Sequence, residues 1–299
     1  MQEGRASETA KLSAMMRAAH PIIDPEPHIF TDQLAAPLCG FDGDRAVLAA
    51  LQSFETELSN AYSPALAQML TRIARLSGAI RARYASDSVR NAQERGISQY
   101  VIVGAGYDSF AYSGCASIGN LRIIEVDHRD TQNDKRRRLK EIGVAEPANC
   151  SFVQMDLAKQ SLLNALRDSP YRPDEPAIFS LIGIPLYFDD AVISRILTEI
   201  GVTASGSEVL VDYLLPEELV EEEQRPLIQM VRAMAASRDE PGDNFISPER
   251  MRRMIEKAGG LVSLCVGSEG IKTPYITVHG DELQFPKFHR ITHARFISQ

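Results

Sequence analysis

The 299-residue chain has few cysteines and no pattern among them: Cys39, Cys115, Cys150 and Cys265 lie far apart and form no CxxC pair. Such spacing argues against a disulfide framework and a structural zinc site, and it fits a reducing, cytoplasmic setting. The histidines form no HxH arrangement and the acids and cysteines no ligand cluster beside them, so no metal is expected. No apolar run approaches the roughly 20 residues that a membrane helix needs. The N-terminus is polar and lacks the apolar core of a secretion signal. Positive charge is also scarce. With 32 Lys and Arg against 40 Asp and Glu, the net charge is -8. A phosphate backbone would be repelled, so neither nucleic acid nor membrane is an expected partner. The basic run Lys135, Arg136, Arg137, Arg138 reads as a solvated helix face. No repeat and no low-complexity tract is present. Oligomeric state is open, a homodimer included.

The sequence has two kinds of patterning. The first 95 residues show helix and loop but no strand signal. Leu66, Met69, Leu70, Ile73, Leu76 and Ile80 recur at helical spacing within a helix over 64–82, and a second helix is expected over 44–58. The proline-bearing stretch HPIIDPEPHIFTDQLAAPL reads as irregular and extended. From residue 99 short apolar strands alternate with helices. The strands are YVIV, LRIIEVD (121–127), SFVQMD (151–156), AIFSLIGI (177–184) and SEVLVDYL (207–214). Helices are expected over 131–143, 160–168, 189–200, 216–237 and 248–258. Late strands LVSLCVG (261–267) and YITVHG (275–280) lack a helix between them and predict an antiparallel edge hairpin. The fold class is therefore α/β, a doubly wound and mostly parallel sheet.

In such a sheet, ligands bind at the carboxyl ends of the strands. Three features fall there. Gly104-Ala105-Gly106 follows the first strand and lets backbone approach a ligand with no Cβ between them. Glu125 and Asp127 close the second strand, where a carboxylate can accept from ribose hydroxyls. Asp156-Leu157 closes the third, where the acid can accept from an adenine amino group and the leucine can pack on the ring. A plain βα turn would explain the glycines alone, and solvated strand ends the acids alone. All three in register favour a ligand. Dinucleotide sites read GxGxxG. Here Ser109 stands where the third glycine would be, which favours a ligand without phosphates, such as an adenosine carrying an amino acid, over a nicotinamide cofactor.

The segments RARYASD (81–87), QYVIVGAGYDSFAY (99–112), IIEVDHRDTQNDKRRRL (123–139), VQMDL (153–157), LIGIPLYFDDAV (181–192) and PGDNFISPERMRRMIEKAGG (241–260) resemble the leucine carboxyl methyltransferase family, in its bacterial and polyketide O-methyltransferase branch. The likeness runs from about residue 12 to 260. It implies a Rossmann-like class I methyltransferase that uses S-adenosyl-L-methionine. A helical lid over 1–95 and a core over 96–299 are expected, with a helical insertion around 215–245 capping the site. By the same likeness Arg81 would hold the cofactor's methionyl carboxylate, for which a guanidinium fork is suited. Gly104, Ala105 and Gly106 would lie along the methionyl part, Asp127 with Glu125 would take the ribose, and Asp156 and Leu157 the adenine.

Tyr187 matches a tyrosine of a family element that normally opens on a glutamate, and here Ile182 stands in the glutamate's place. Ile182 cannot accept a hydrogen bond. Asp108 or a water would have to replace it, or the chain binds the cofactor without transferring its methyl. The acceptor implied is a small-molecule carboxylate or phenol, most in keeping with secondary metabolism. A carboxylate needs no base, whereas a phenol does. His20 and His28, in the segment that would form the lid, are the candidates, with Tyr187. Arg17 and Tyr62 could orient an acid, or simply pack an arm on the core. The acids Glu217, Glu218, Glu221, Glu222 and Glu223 read as a solvated helix face in the cap.

Overall fold

The computed structural model describes residues 4–113, 120–238, 240–267, 270 and 286–297. Strand β1, Gln99–Val103, is buried along its whole length and lies inside a seven-stranded sheet. Its neighbours are β2 (Arg122–Asp127) and β4 (Ile178–Leu181), both parallel to it. Beyond them lie β3 (Cys150–Gln154) and β5 (Glu208–Leu214), also parallel. The order β3-β2-β1-β4-β5-β7-β6 reverses direction between β1 and β4, and a crevice opens at that switch point.

The antiparallel edge is present but is built differently from the sequence expectation. Strand β6, Gly260–Val266, pairs with β7, His289–Phe296, and β7 inserts between β6 and β5. YITVHG, the expected partner of 261–267, lies outside the described residues, as do Cys115 and His279. HRITHARF does not read as a buried strand because its polar residues find partners across the sheet. His289 meets Asp212 and His293 meets Glu208, each at 2.9 Å.

Four helices precede the sheet: α1 (Glu8–Ile23), α2 (Ala35–Cys39), α3 (Asp44–Ala61) and α4 (Pro64–Glu94). Ser7 caps α1 by accepting from the amide of Ala10, and Ser63 with Pro64 opens α4. The supposedly irregular stretch begins as helix. Pro21 sits in the last turn of α1, where it forgoes one helical hydrogen bond and the helix ends two residues later. Helix α4 runs twelve residues beyond the expected end at 82. Ala85, Ser88, Val89 and Ala92 continue its buried face, and small side chains there let it lie close over Tyr100, Ile102, Ile123 and Ile178. Met69, expected on the apolar stripe, is exposed.

Helices α5 (Arg129–Glu141), α6 (Leu162–Leu166), α7 (Asp190–Gly201) and α9 (Pro248–Lys257) cover the sheet, and α8 (Arg225–Ala236) belongs to the insertion after β5. The acidic run at 217–223 forms two 3-10 turns ahead of α8 rather than a helix face, with Glu221–Glu223 exposed. On α5 the basic run divides. Arg136 pairs with Glu146, Arg137 with Asp134 and Glu141, and Arg138 with Asp134. Lys135 is fully buried against Glu125, so the solvated-face reading fails for that residue. No helix among the described residues is long and apolar enough to cross a membrane.

Candidate ligand site at the strand ends

A cavity of about 440 Å³ lies over the carboxyl ends of β1 to β4, within the size range of small-molecule sites. Its floor begins at the turn after β1. The amides of Gly104 and Ala105 both bond the Val126 carbonyl, at 2.7 and 3.1 Å. Gly104 has φ +73°, a left-handed conformation that glycine adopts without strain. The Gly106 amide donates to one Asp127 oxygen, and the His128 amide donates to the other at 2.5 Å. Asp127 thus clasps the glycine loop while facing the cavity. Burial pushes its carboxyl up from the ordinary range, against the pull of those two amides.

Asp108 lines the same wall and accepts from the Phe110 amide at 2.7 Å. Asp156, Leu157 and Ala105 also line the cavity. Burial raises the Asp156 carboxyl, but an ion pair with Lys159 at 3.0 Å and the Ala158 amide together bring it below its ordinary value. Arg81 reaches the wall from α4, and its Nη1 donates to Asp212 at 2.9 Å. Asp212, at the end of β5, also takes the Gly183 amide at 2.5 Å and His289.

Burial alone would raise the Asp212 carboxyl. Arg81, His289 and the Gly183 amide overcome that and bring it to about 2. Burial lowers the His289 imidazole below its ordinary value, against the pull of Asp212. Both folded-state values are depressed, so both groups stabilise the fold above their unfolded values and lose that contribution on acidification. Urea-denaturation stability should fall as the pH drops below about 6.5, with a further loss between about 4 and 2. Asp212→Asn should shrink the lower step, to which Asp24, Asp134 and Glu208, also held low by their partners, contribute as well. A stability profile for that variant parallel to wild type across pH 4 to 2 would exclude Asp212 as a contributor.

The structure also separates residues the sequence grouped together. Glu125 does not reach the cavity. Lys135 Nζ holds it at 2.6 Å beneath the strand ends, so it cannot face a ribose there. His20 is not at the cavity either. Its Nδ1 bonds Asp24 at 2.9 Å, its Nε2 accepts the Ile29 amide, and Asp24 is also held by Arg75. His28 packs edge-on against the His20 ring, away from the cavity. Both histidines brace the N-terminal segment. Tyr187 does line the cavity. Its hydroxyl lies beside Thr9, and burial pushes its pKa up, so the phenol is neutral there.

Arg17 both lines the cavity and packs the arm, since it bonds Asp32 at 3.1 Å and the Tyr107 carbonyl at 2.7 Å. Tyr62 packs on the core among the helices. Sequence reasoning missed Asp212, Ser180 and Glu240. Asp212 is an acid near a strand's carboxyl end, the same signal that identified Asp127. Glu240 had no signal. It reaches the cavity because the segment after α8 folds back onto α1, where Glu240 accepts from the Ser7 hydroxyl and the Glu8 amide, both at 3.1 Å, and from Thr9.

A family model described as leucine carboxyl methyltransferase matches residues 10–201. A Bacillus subtilis (strain 168) protein named "Putative S-adenosyl-L-methionine-dependent methyltransferase YktD" is 25% identical over 304 residues, covering 97% of this chain and 98% of that one. The Mycobacterium leprae protein ML2020, similarly named, is 30% identical, covering 69% of this chain and 63% of its own length. Among solved structures, a methyltransferase-like protein of Thermobifida fusca YX superposes with a TM-score of 0.60 at 18% identity, covering 92% of this chain and all of that one. A DUF574 protein of Streptomyces avermitilis superposes at 0.62 and 14% identity, covering 98% of this chain and 99% of that one. These structural likenesses bear on the fold, which is Rossmann-like.

Proposed function

Because the chain belongs to the leucine carboxyl methyltransferase family and is an S-adenosylmethionine-dependent methyltransferase, we propose that it methylates an oxygen of a small-molecule carboxylate or phenol, in secondary metabolism. One observation carries the site assignment. Across the sheet, the wall residues follow the order of the cofactor's own groups. Asp156 and Leu157 stand beyond β3 for the adenine, and Asp127 at the end of β2 for the ribose. Gly104, Ala105 and Gly106 stand beyond β1 for the methionyl chain, and Arg81 beside Gly183, beyond β4, for the carboxylate. Three strand spacings are about 14 Å, a span suited to an extended adenosine bearing an amino acid. Ser109 stands where a dinucleotide turn has its third glycine, and the family match gives the nicotinamide alternative no support.

Bound there, S-adenosylmethionine supplies an electrophilic methyl on a sulfonium. The protein's part is to orient the acceptor and exclude water, since positive charge disappears during transfer and no new charge needs a counterion. Helix α1 serves as the lid: Thr9 meets Tyr187, and Ser7 meets Glu240 over the cavity. With His20 and His28 committed elsewhere, His128 is the one histidine on the wall among the described residues, and its Nδ1 caps α5. That favours an acceptor already ionised, a carboxylate, with Arg17, paired to Asp32, among the cations on the wall. Asp108, on the same wall, supports a reading in which it, or a water, meets the methionyl ammonium in place of the family glutamate.

Incubation with labelled S-adenosylmethionine and a panel of aromatic and aliphatic carboxylic acids and phenols should release S-adenosylhomocysteine with at least one carboxylate. Ile182 on the cavity wall favours a second reading, a cofactor-binding protein without transfer; tight cofactor binding with no release for any acceptor would select it. Asp127→Ala should weaken S-adenosylhomocysteine binding by about 1–3 kcal/mol, because a buried ribose loses its acceptor. Calorimetric affinity equal to wild type would remove Asp127 from the ribose role.

A further inference from the structure

Arg81 does not stand alone at the cavity wall. Behind it a closed ring of hydrogen bonds joins three elements distant in sequence. Arg81 Nη1 donates to Asp212 Oδ2 at 2.9 Å, and the same oxygen faces His289 Nε2 at 2.9 Å. His289 Nδ1 faces Ser77 Oγ at 2.9 Å. Arg81 Nε then closes the ring on the Ser77 carbonyl at 3.3 Å. Ser77, Asp212 and His289 are all buried, while Arg81 is the member that reaches the cavity.

The chemistry of these groups fixes the direction of each bond. An ionised carboxylate only accepts, so His289 carries its proton on Nε2 and its Nδ1 accepts from the Ser77 hydroxyl. No member of the ring can turn without breaking a buried hydrogen bond. The other Asp212 oxygen takes the Gly183 amide, in the loop that carries Ile182 and Tyr187. One buried carboxylate therefore holds both the guanidinium and the loop after β4.

We propose that Asp212, braced by His289 and Ser77, is the positioning residue that aims Arg81 at the cofactor's methionyl carboxylate and ties that contact to the loop bearing Tyr187. This rests on the cofactor orientation given above. The ring acts through orientation, not charge. Asp212 partly neutralises Arg81, so removing its charge alone would strengthen the pull of Arg81 on an anion. A loss of carboxylate recognition on removing Asp212 can arise only from lost aim.

The test compares two ligands by calorimetry. S-adenosylhomocysteine has the amino-acid carboxylate, and methylthioadenosine has the same thioadenosine without it. In wild type the first should bind more tightly. In Asp212→Asn the ratio of the two affinities should fall about 10-fold or more, the scale of a hydrogen bond to a charged group, while methylthioadenosine affinity stays near wild type. Ser77→Ala leaves every charge in place and should lower the ratio about threefold, as one neutral hydrogen bond is lost. A role in folding alone would shift both ligands together.

An Asp212→Asn ratio equal to or above wild type overturns the proposal. If that variant fails to fold, Ser77→Ala decides, and an unchanged ratio there overturns it. If wild type binds both ligands equally, Arg81 does not read the carboxylate and the proposal fails with that assignment. If wild type binds neither, the cofactor-site reading fails and takes the proposal with it.

Discussion

Gly104→Val should abolish S-adenosylhomocysteine binding, by at least about 100-fold, or ~2.7 kcal/mol. A Cβ at this position would lie 2.0 Å from Ile184 Cδ1 and 2.7 Å from Ile184 Cγ1, on the floor where the methionyl chain is placed. Something must move, and Ile184 is a side chain that can. Its displacement, with the branched valine, fills the floor of the cavity. The variant should not keep wild-type stability, however. At φ +73° an L side chain also costs about 1–2 kcal/mol. Gly259→Ala separates the two effects, because Gly259 has φ +84° but open space around it. It should lower Tm and leave cofactor affinity alone. Calorimetry and thermal melts on both variants check this. Retained binding in a folded Gly104→Val protein would place the ligand elsewhere.

Lys135→Ala should lower folding stability by roughly 3–5 kcal/mol, because it leaves a buried carboxylate without its counterion. The pair is fully inside the protein, with Lys135 Nζ 2.6 Å from Glu125 Oε2. The other Glu125 oxygen has no hydrogen-bond partner among the described residues, so nothing else compensates the charge. Replacing both partners, Glu125→Leu with Lys135→Met, should recover much of the loss, since matched apolar groups avoid the desolvation of two ions. Chemical denaturation measures each variant. A Lys135→Ala loss below about 1 kcal/mol would mean that water reaches Glu125 or that its carboxyl takes up a proton. The folded single variant should still bind S-adenosylhomocysteine, because Glu125 faces Lys135 and not the cavity.

The fold and half of the site could be read from the sequence, for a local reason. Strand ends, the glycine turn and the acids at 127 and 156 are set by a few adjacent residues, and parallel strands bring their carboxyl ends to one rim wherever they lie in the chain. Gly104, Asp127 and Asp156 therefore stand together on the cavity wall. Glu125 shows where this reasoning stops. Two residues from Asp127, it lies in the same acidic strand end, but depth along the strand buries it under α5 beside Lys135. The spacing of Thr131, Lys135 and Leu139 at every fourth residue carried that signal, yet a lysine within a run of arginines reads as surface.

By itself, then, the sequence determined the alternation of strands and helices, the turn after β1 and the acids at the rim, because these depend on neighbours along the chain. Tertiary structure alone decided the rest. It sent His20 into an internal brace with Asp24, set His28 against the His20 ring, brought Glu240 back to α1, and slid β7 between β5 and β6. It also joined Arg81, Asp212, His289 and Ser77 into one ring across 212 residues of chain. The physical reason is the same in each case. A buried polar group must find its partner wherever packing places one, and no local pattern records where that is.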